Sequence, residues 1–117
     1  MITMEECLFC KMVAGEIEPQ CVYEDEQVLA FRDINPQAPT HVLIIPKQHL
    51  STINDLDHEH EQLVGRLYIA AQKIAATEGL ADSGYRTVMN CNADAGQTVF
   101  HIHLHLLGGR RLGWPPG

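Results

Sequence analysis

Between residues 101 and 107 the chain reads His101-Ile102-His103-Leu104-His105-Leu106-Leu107, a histidine at every second place with an aliphatic residue in each gap. Alternation of this kind is the period of a β-strand, whose successive side chains point to opposite faces. The segment predicts a strand over 100–107. Ile102, Leu104 and Leu106 then pack on a core, and His101, His103 and His105 share the other face at about 7 Å per two residues. The fold is therefore expected to contain a sheet with an apolar face at this point. Three readings of the histidine face stand side by side. It is the polar outer face of an edge strand, where Lys, Thr or Glu would be the more usual residues. It is a three-histidine metal site, for which acidic helper ligands are not obvious nearby. Or it is a set of imidazoles acting as nucleophile and acid–base groups, with His103 in the middle as the nucleophile.

The rest of the chain supplies the sheet. A short helix is predicted from about Cys7 to Ala14, where Leu8 and Met12 lie four apart and Gly15 is a stop signal. Residues 21–24 and 28–33 read as two strands joined by Asp25-Glu26-Gln27, with Leu29 and Phe31 alternating against Val28 and Ala30. The loop Asn35-Pro36-Gln37-Ala38-Pro39 cannot continue a strand. Val42-Leu43-Ile44-Ile45 is an uninterrupted apolar run and reads as a central, buried strand. A long helix is predicted from Asp57 to Glu78, capped by Asp57, stopped by Gly79 and buried along Leu63, Leu67, Ala71 and Ile74. Strands over 85–90 and 100–107 follow, then an irregular tail over 108–117. Strand runs that do not alternate with helices predict an α+β fold: a five-stranded antiparallel sheet with one long and one short helix.

Length and charge narrow the function. The 117 residues fit one domain over 1–117. A net charge of -7 argues against a nucleic-acid partner, because a phosphate backbone requires a positive face, while a single nucleotide needs only a few local donors. No apolar run is long enough for a membrane span, so no membrane partner is expected. Glu5 and Glu6 stand where a secretory leader would carry basic residues. The expected setting is cytoplasmic, where Cys7, Cys10, Cys21 and Cys91 are thiols or metal ligands rather than a disulfide framework.

Immediately before the histidines comes Asp94-Ala95-Gly96-Gln97-Thr98. A glycine-containing turn can present backbone N–H groups, and Gln97 and Thr98 add neutral donors that suit phosphate oxygens. The same residues also make an ordinary tight turn.

The histidine run resembles the signature of the histidine triad (HIT) superfamily. Further segments resemble its Hint branch: Phe31-Arg32-Asp33-Ile34-Asn35-Pro36-Gln37-Ala38-Pro39-Thr40-His41, the strand at 42–45 with Pro46-Lys47, Gly84-Tyr85-Arg86, Gly96-Gln97, Leu107-Gly108-Gly109-Arg110 and the ending Trp114-Pro115-Pro116-Gly117. The resemblance implies a HIT-like fold whose sheet extends to ten strands in a homodimer. It implies hydrolysis of nucleoside 5′-phosphoramidates, including AMP-amines and aminoacyl-adenylate-type substrates, through a covalent nucleotidyl-histidine on His103. Catalysis would need no cofactor, and the partner would be a purine nucleotide, AMP or GMP and their phosphoramidates. A dinucleoside polyphosphate hydrolase, a nucleotidyl transferase and a non-catalytic nucleotide-binding module remain alternatives on the same fold.

Carried over residue by residue, the resemblance gives catalytic roles to His103, His105 and His41, the last two as holders or relays of the proton that the amine requires. Asp33 would accept the ribose hydroxyls, and Phe31 and Ile34 would flank the base. Asn90, Gly96, Gln97 and Thr98 would contact phosphate or ribose. Thr98 stands where many relatives have serine and Arg32 where some have histidine. Trp114 would reach the partner subunit's site or pack in the dimer. Some members of the superfamily bind structural zinc through a CxxC pair, which here implies Cys7, Cys10, His49 and His101; free thiols are the alternative. In that arrangement His101 leaves the working set to His103 and His105. Cys21 and Cys91 are expected to be small buried residues, and His58 and His60 to be solvated at a helix start.

Overall fold

The computed structural model describes residues 6–117. In chain order it contains α1 (Leu8–Val13), β1 (Cys21–Glu24), β2 (Val28–Arg32), β3 (Thr40–Pro46), α2 (Glu61–Thr77), β4 (Tyr85–Val88), α3 (Asn92–Ala95) and β5 (Leu104–Gly108). The strands form one sheet in the order β1-β2-β3-β5-β4, every pair antiparallel. This is the expected α+β architecture, with boundaries moved. The long helix begins at Glu61 because Asp57, whose carboxylate accepts from the Glu59 N–H, caps a separate 3-10 turn over His58–His60. The last strand begins at Leu104, so His101 and His103 stand on its approach rather than within it.

Two cores explain the alternation in the strands. Val28, Ala30, Val42, Ile44, Leu104 and Leu106 face α2, whose Leu63, Leu67, Ala71 and Ile74 form the expected buried stripe. Leu29, Phe31, Leu43 and Ile45 face the other way and are covered by Phe9 and Cys7. β3 is buried along its whole length because it lies between these two layers in the middle of the sheet. The histidine face of the sheet is consequently not a solvent face. It belongs to the smaller core under α1, which is why Ile102 and His101 are both fully buried despite pointing in opposite directions.

Three residues depart from expectation for local reasons. His60 is buried, because its Nδ1 accepts from the Asp57 N–H and closes the 3-10 turn; His58 is solvated as expected. Cys21 begins an edge strand and is exposed, and Cys91 is half-buried. No described helix is long and apolar enough to cross a membrane.

Candidate active site

The working groups are brought together by β3, β5 and the two segments leading into β5. In the β3–β5 ladder Leu43 pairs with His105 and His41 with Leu107. His41 and His105 are thus diagonal neighbours on one face, within reach of each other across an antiparallel pair. Their rings meet with His41 Nε2 2.9 Å from His105 Nδ1. The Gln37 backbone N–H, from the proline loop, donates to His41 Nδ1 at 3.0 Å.

These contacts fix where the protons are. His41 Nδ1 receives a hydrogen bond, so neutral His41 carries its proton on Nε2. That proton goes to His105 Nδ1, so neutral His105 carries its own on Nε2. Burial lowers the pKa of both below the ordinary histidine value of 6.5; for His105 the nearby His103 and His41 add to burial and bring it to about 4. Asp33 Oδ2 lies 3.4 Å from His41 Nε2 and pulls in the opposite direction, but the imidazole remains neutral and the contact is a charge–dipole one. His103 is set the other way. Its Nδ1 donates to the His101 carbonyl at 2.8 Å, which leaves Nε2 with a free lone pair. Burial again holds His103 neutral, against the smaller raising effect of that carbonyl.

His103 and His105 line one cleft of about 560 Å³. Their ring centroids are 5.0 Å apart. By elimination, the two nitrogens available to it are a nucleophilic lone pair on His103 and an N–H donor on His105. Phe31 lies buried at the floor of the cleft, Asp33 is half-buried in its wall, Ile34 is fully exposed at its rim, and Thr98 borders it. Leu8, Phe9 and Met12 of α1 complete it. Phe9 sets its edge against His103, centroids 5.2 Å apart at 87°. Sequence reasoning gave α1 no part in this cleft; the signal available was a six-residue helix too apolar to stand free.

Not every expected residue lies at the cleft. Asn90, Gly96, Gln97 and Trp114 do not line it. The sequence 94–98 is more than a turn: Asn92–Ala95 is a short helix ended by Gly96 in the left-handed region, φ 89°. The Gln97 amide is fully engaged with backbone. Its Oε1 accepts from the Asn92 N–H at 2.8 Å, and its Nε2 donates to the carbonyls of Ser51 (2.8 Å) and Val99 (3.1 Å). The Gln97 side chain thus ties three segments together. Trp114 is 81% exposed, with the Arg86 guanidinium 5.9 Å from its ring centroid.

His101 turns away from the cleft, so the three alternating histidines do not converge on one metal ion. Its Nε2 donates to the Pro46 carbonyl at 2.7 Å, which leaves the Nδ1 lone pair facing Cys7, Cys10 and His49. Zinc–sulfur distances near 2.3 Å and zinc–nitrogen distances near 2.0–2.1 Å give tetrahedral edges of roughly 3.3–3.6 Å where a nitrogen is involved and about 3.8 Å between two sulfurs. Here His101 Nδ1 is 3.4 Å from Cys7 Sγ, 3.5 Å from Cys10 Sγ and 3.2 Å from His49 Nδ1, and Cys10 Sγ is 3.1 Å from His49 Nδ1. Four sulfur and nitrogen donors within 4.8 Å of one another, the four distances above lying at or slightly inside tetrahedral edges, with one imidazole already oriented by a carbonyl, fit a closed structural metal site. Burial, then the hydrogen bond and charge of Cys7, push the Cys10 thiol up to about 11, a penalty that a cation between the sulfurs would reverse.

The arrangement matches a known domain. The family model for the HIT domain covers residues 14–112. The chain belongs to the HIT family. This HIT protein is 56% identical over 109 residues to a purine nucleoside phosphoramidase of Escherichia coli strain K12, covering 93% of the present chain and 92% of the relative. Its fold superposes with a TM-score of 0.93 on a HIT family hydrolase from Legionella pneumophila Philadelphia 1, at 58% identity over 95% of this chain and 99% of that one. A histidine triad protein from Clostridium difficile gives a TM-score of 0.90 at 42% identity, over 97% of each chain.

Proposed function

We propose that this HIT protein is a hydrolase of purine nucleoside 5′-phosphoramidates that works through a nucleotidyl group on His103. The observation that carries the reading is the opposed pair of proton positions: His103 offers a lone pair on Nε2 and His105 an N–H to the same cleft. Similarity to the Escherichia coli phosphoramidase supports the choice of bond.

In the first step His103 Nε2 attacks the α-phosphorus and the phosphorus–nitrogen bond breaks, its electron pair leaving with the amine. The His101 carbonyl, accepting from Nδ1–H, stabilises the imidazolium that results. His105 Nε2–H donates to a phosphoryl oxygen as negative charge builds on it. The amine takes its proton from water. The hydroxide equivalent left behind attacks the nucleotidyl-histidine in the second step, releases the nucleoside monophosphate and regenerates neutral His103, so protons balance over the cycle. Asp33 is the acceptor for ribose hydroxyls, and the apolar walls around Phe31 and Ile34 take the base. The site residues supply a nucleophile without a metal ion in the cleft.

The same proposal includes structural zinc on Cys7, Cys10, His49 and His101, where a bound ion would tie α1 to the segments before β5. It includes the homodimer with a ten-stranded sheet, for which β4 is an available edge strand, and a cytoplasmic setting.

The test is intact-protein mass spectrometry after rapid quenching of a reaction with an adenosine phosphoramidate. An added AMP group mapping to His103 is the expected result. Confirmed turnover with no adduct in any quenched sample would overturn the covalent route, and phosphoramidate turnover no faster than that of diadenosine polyphosphates would overturn the choice of substrate.

A further inference from the structure

The proton arrangement at His105 depends on a contact outside the cleft. His41 accepts from the Gln37 N–H, and the Gln37 carbonyl in turn accepts from the guanidinium of Arg110, from Nη2 at 3.0 Å and Nε at 3.3 Å. Arg110 lies two residues past the end of β5. It can reach the proline loop because Gly109 packs directly against Pro39: a Cβ there would come within 2.9 Å of the Pro39 Cβ, and the residue sits at φ +91°. The Gln37 side chain adds a bond to the Asn35 carbonyl, and Asn35 N–H donates to Asp33. The loop that presents the Gln37 N–H is therefore held by β5's exit at one end and by the ribose-site carboxylate at the other.

We infer that Arg110 is a positioning residue which, through Gln37, holds His41 and His105 in the tautomers that make His105 a donor to the substrate. The inference rests on the proposed phosphoramidase reading for its consequence in turnover, though not for its structural content. If the loop moves off His41, the alternative tautomer becomes available: His41 Nδ1–H, with Nε2 accepting from His105 Nδ1–H. His105 then presents a lone pair to the phosphoryl oxygen where the proposed reaction requires a hydrogen. Two lone pairs facing each other across the cleft cannot stabilise the five-coordinate phosphorus. The loss falls on the chemical step rather than on ground-state binding.

The experiment compares wild type, Arg110→Ala, Arg110→Lys and, as a control one residue along the chain, Arg111→Ala. Two readouts are taken. Two-bond proton–nitrogen NMR on protein labelled at histidine nitrogen reports the tautomer of each ring. Steady-state hydrolysis of an adenosine phosphoramidate reports kcat and KM. Wild type is expected to show single tautomers, protonated at Nε2, for His41 and His105. Arg110→Ala is expected to show a mixture and to lower kcat about tenfold, less than the roughly hundredfold or more that a positioned acid–base group contributes because a mixture keeps part of the population in the working tautomer, with KM within about twofold. Arg110→Lys, which keeps one donor to the Gln37 carbonyl, is expected to recover most of both, and Arg111→Ala to match wild type. Unchanged single tautomers in Arg110→Ala would overturn the inference whatever the rate does. So would a kcat unchanged despite mixed tautomers. A wild type that shows the expected tautomers but hydrolyses no phosphoramidate would instead refute the proposed function and leave the role of Arg110 in setting the tautomers intact.

Discussion

Replacing Gln97 with alanine separates two accounts of the turn before the histidines. The Gln97 amide makes three hydrogen bonds to backbone: from the Asn92 N–H, and to the carbonyls of Ser51 and Val99. Gln97 is 6% exposed, so its removal leaves one N–H and two carbonyls short of a partner in a site with little access to water. At a net value of about 1 kcal/mol per hydrogen bond, the loss is about 3 kcal/mol. For a domain of this size that lowers the midpoint of thermal unfolding by on the order of 10 °C. Urea unfolding of both proteins gives the stability difference. Phosphoramidate hydrolysis, measured well below the lowered midpoint, gives the activity. The expected outcome is a large stability loss with kcat/KM within about tenfold of wild type, since only the placement of neighbouring segments changes. Gln97→Glu should resemble alanine, because an ionised carboxylate would set acceptors against the Ser51 and Val99 carbonyls. An unchanged unfolding midpoint combined with a hundredfold fall in kcat/KM would refute the reasoning and return Gln97 to direct contact with phosphate.

Two further outcomes are expected. Metal analysis should find about one zinc per chain; Cys10→Ala or prolonged chelation should remove it and lower the unfolding midpoint, while the nucleotidyl-histidine adduct still forms at temperatures where the fold persists. Acidification should destabilise the protein between about pH 6.5 and 4, as followed by urea unfolding at stepped pH. Burial brings His105 and His101 down to about 4 and lowers His41 and His103, so the unfolded chain binds more protons in that window and stability falls with falling pH; the double variant His41→Asn, His105→Asn should make the profile shallower, with His101 and His103 keeping the remaining slope.

Much of the fold could be read from period and punctuation. The apolar run at 42–45 and the alternation at 28–31 fixed strands in the middle of a sheet, and the stripe Leu63, Leu67, Ala71 and Ile74 fixed the helix on one of its faces. Errors gathered where a local signal was outweighed by a long-range contact. His101-Ile102-His103 alternates in sequence, yet it pairs with no strand: the Ile102 N–H goes to the Leu50 carbonyl, and the two histidines bond through their rings and carbonyls to Pro46 and to each other. Asn92–Ala95 is one turn of helix, too short to leave a period. The bond from Gln97 to the Ser51 carbonyl, 46 residues away, left no trace in the sequence, because only the folded chain brings the two together.

The three histidines show why identical residues at even spacing need not share a task. Each ring has two nitrogens, and in each case a hydrogen bond at one decides what the other can do. The Pro46 carbonyl takes the Nε2 proton of His101 and turns its Nδ1 lone pair toward two thiols. The His101 carbonyl takes the Nδ1 proton of His103 and leaves a lone pair on Nε2. His41 gives its proton to His105 Nδ1 and leaves a donor. Only the third of these depends on a side chain, and that side chain is set by a main-chain N–H of a surface loop. The His103 and His101 rings are thus fixed by backbone that is buried in the core, while His105 is set through a loop held by an exposed arginine. Of the three roles, the donor is the one that a surface substitution can change without touching the fold.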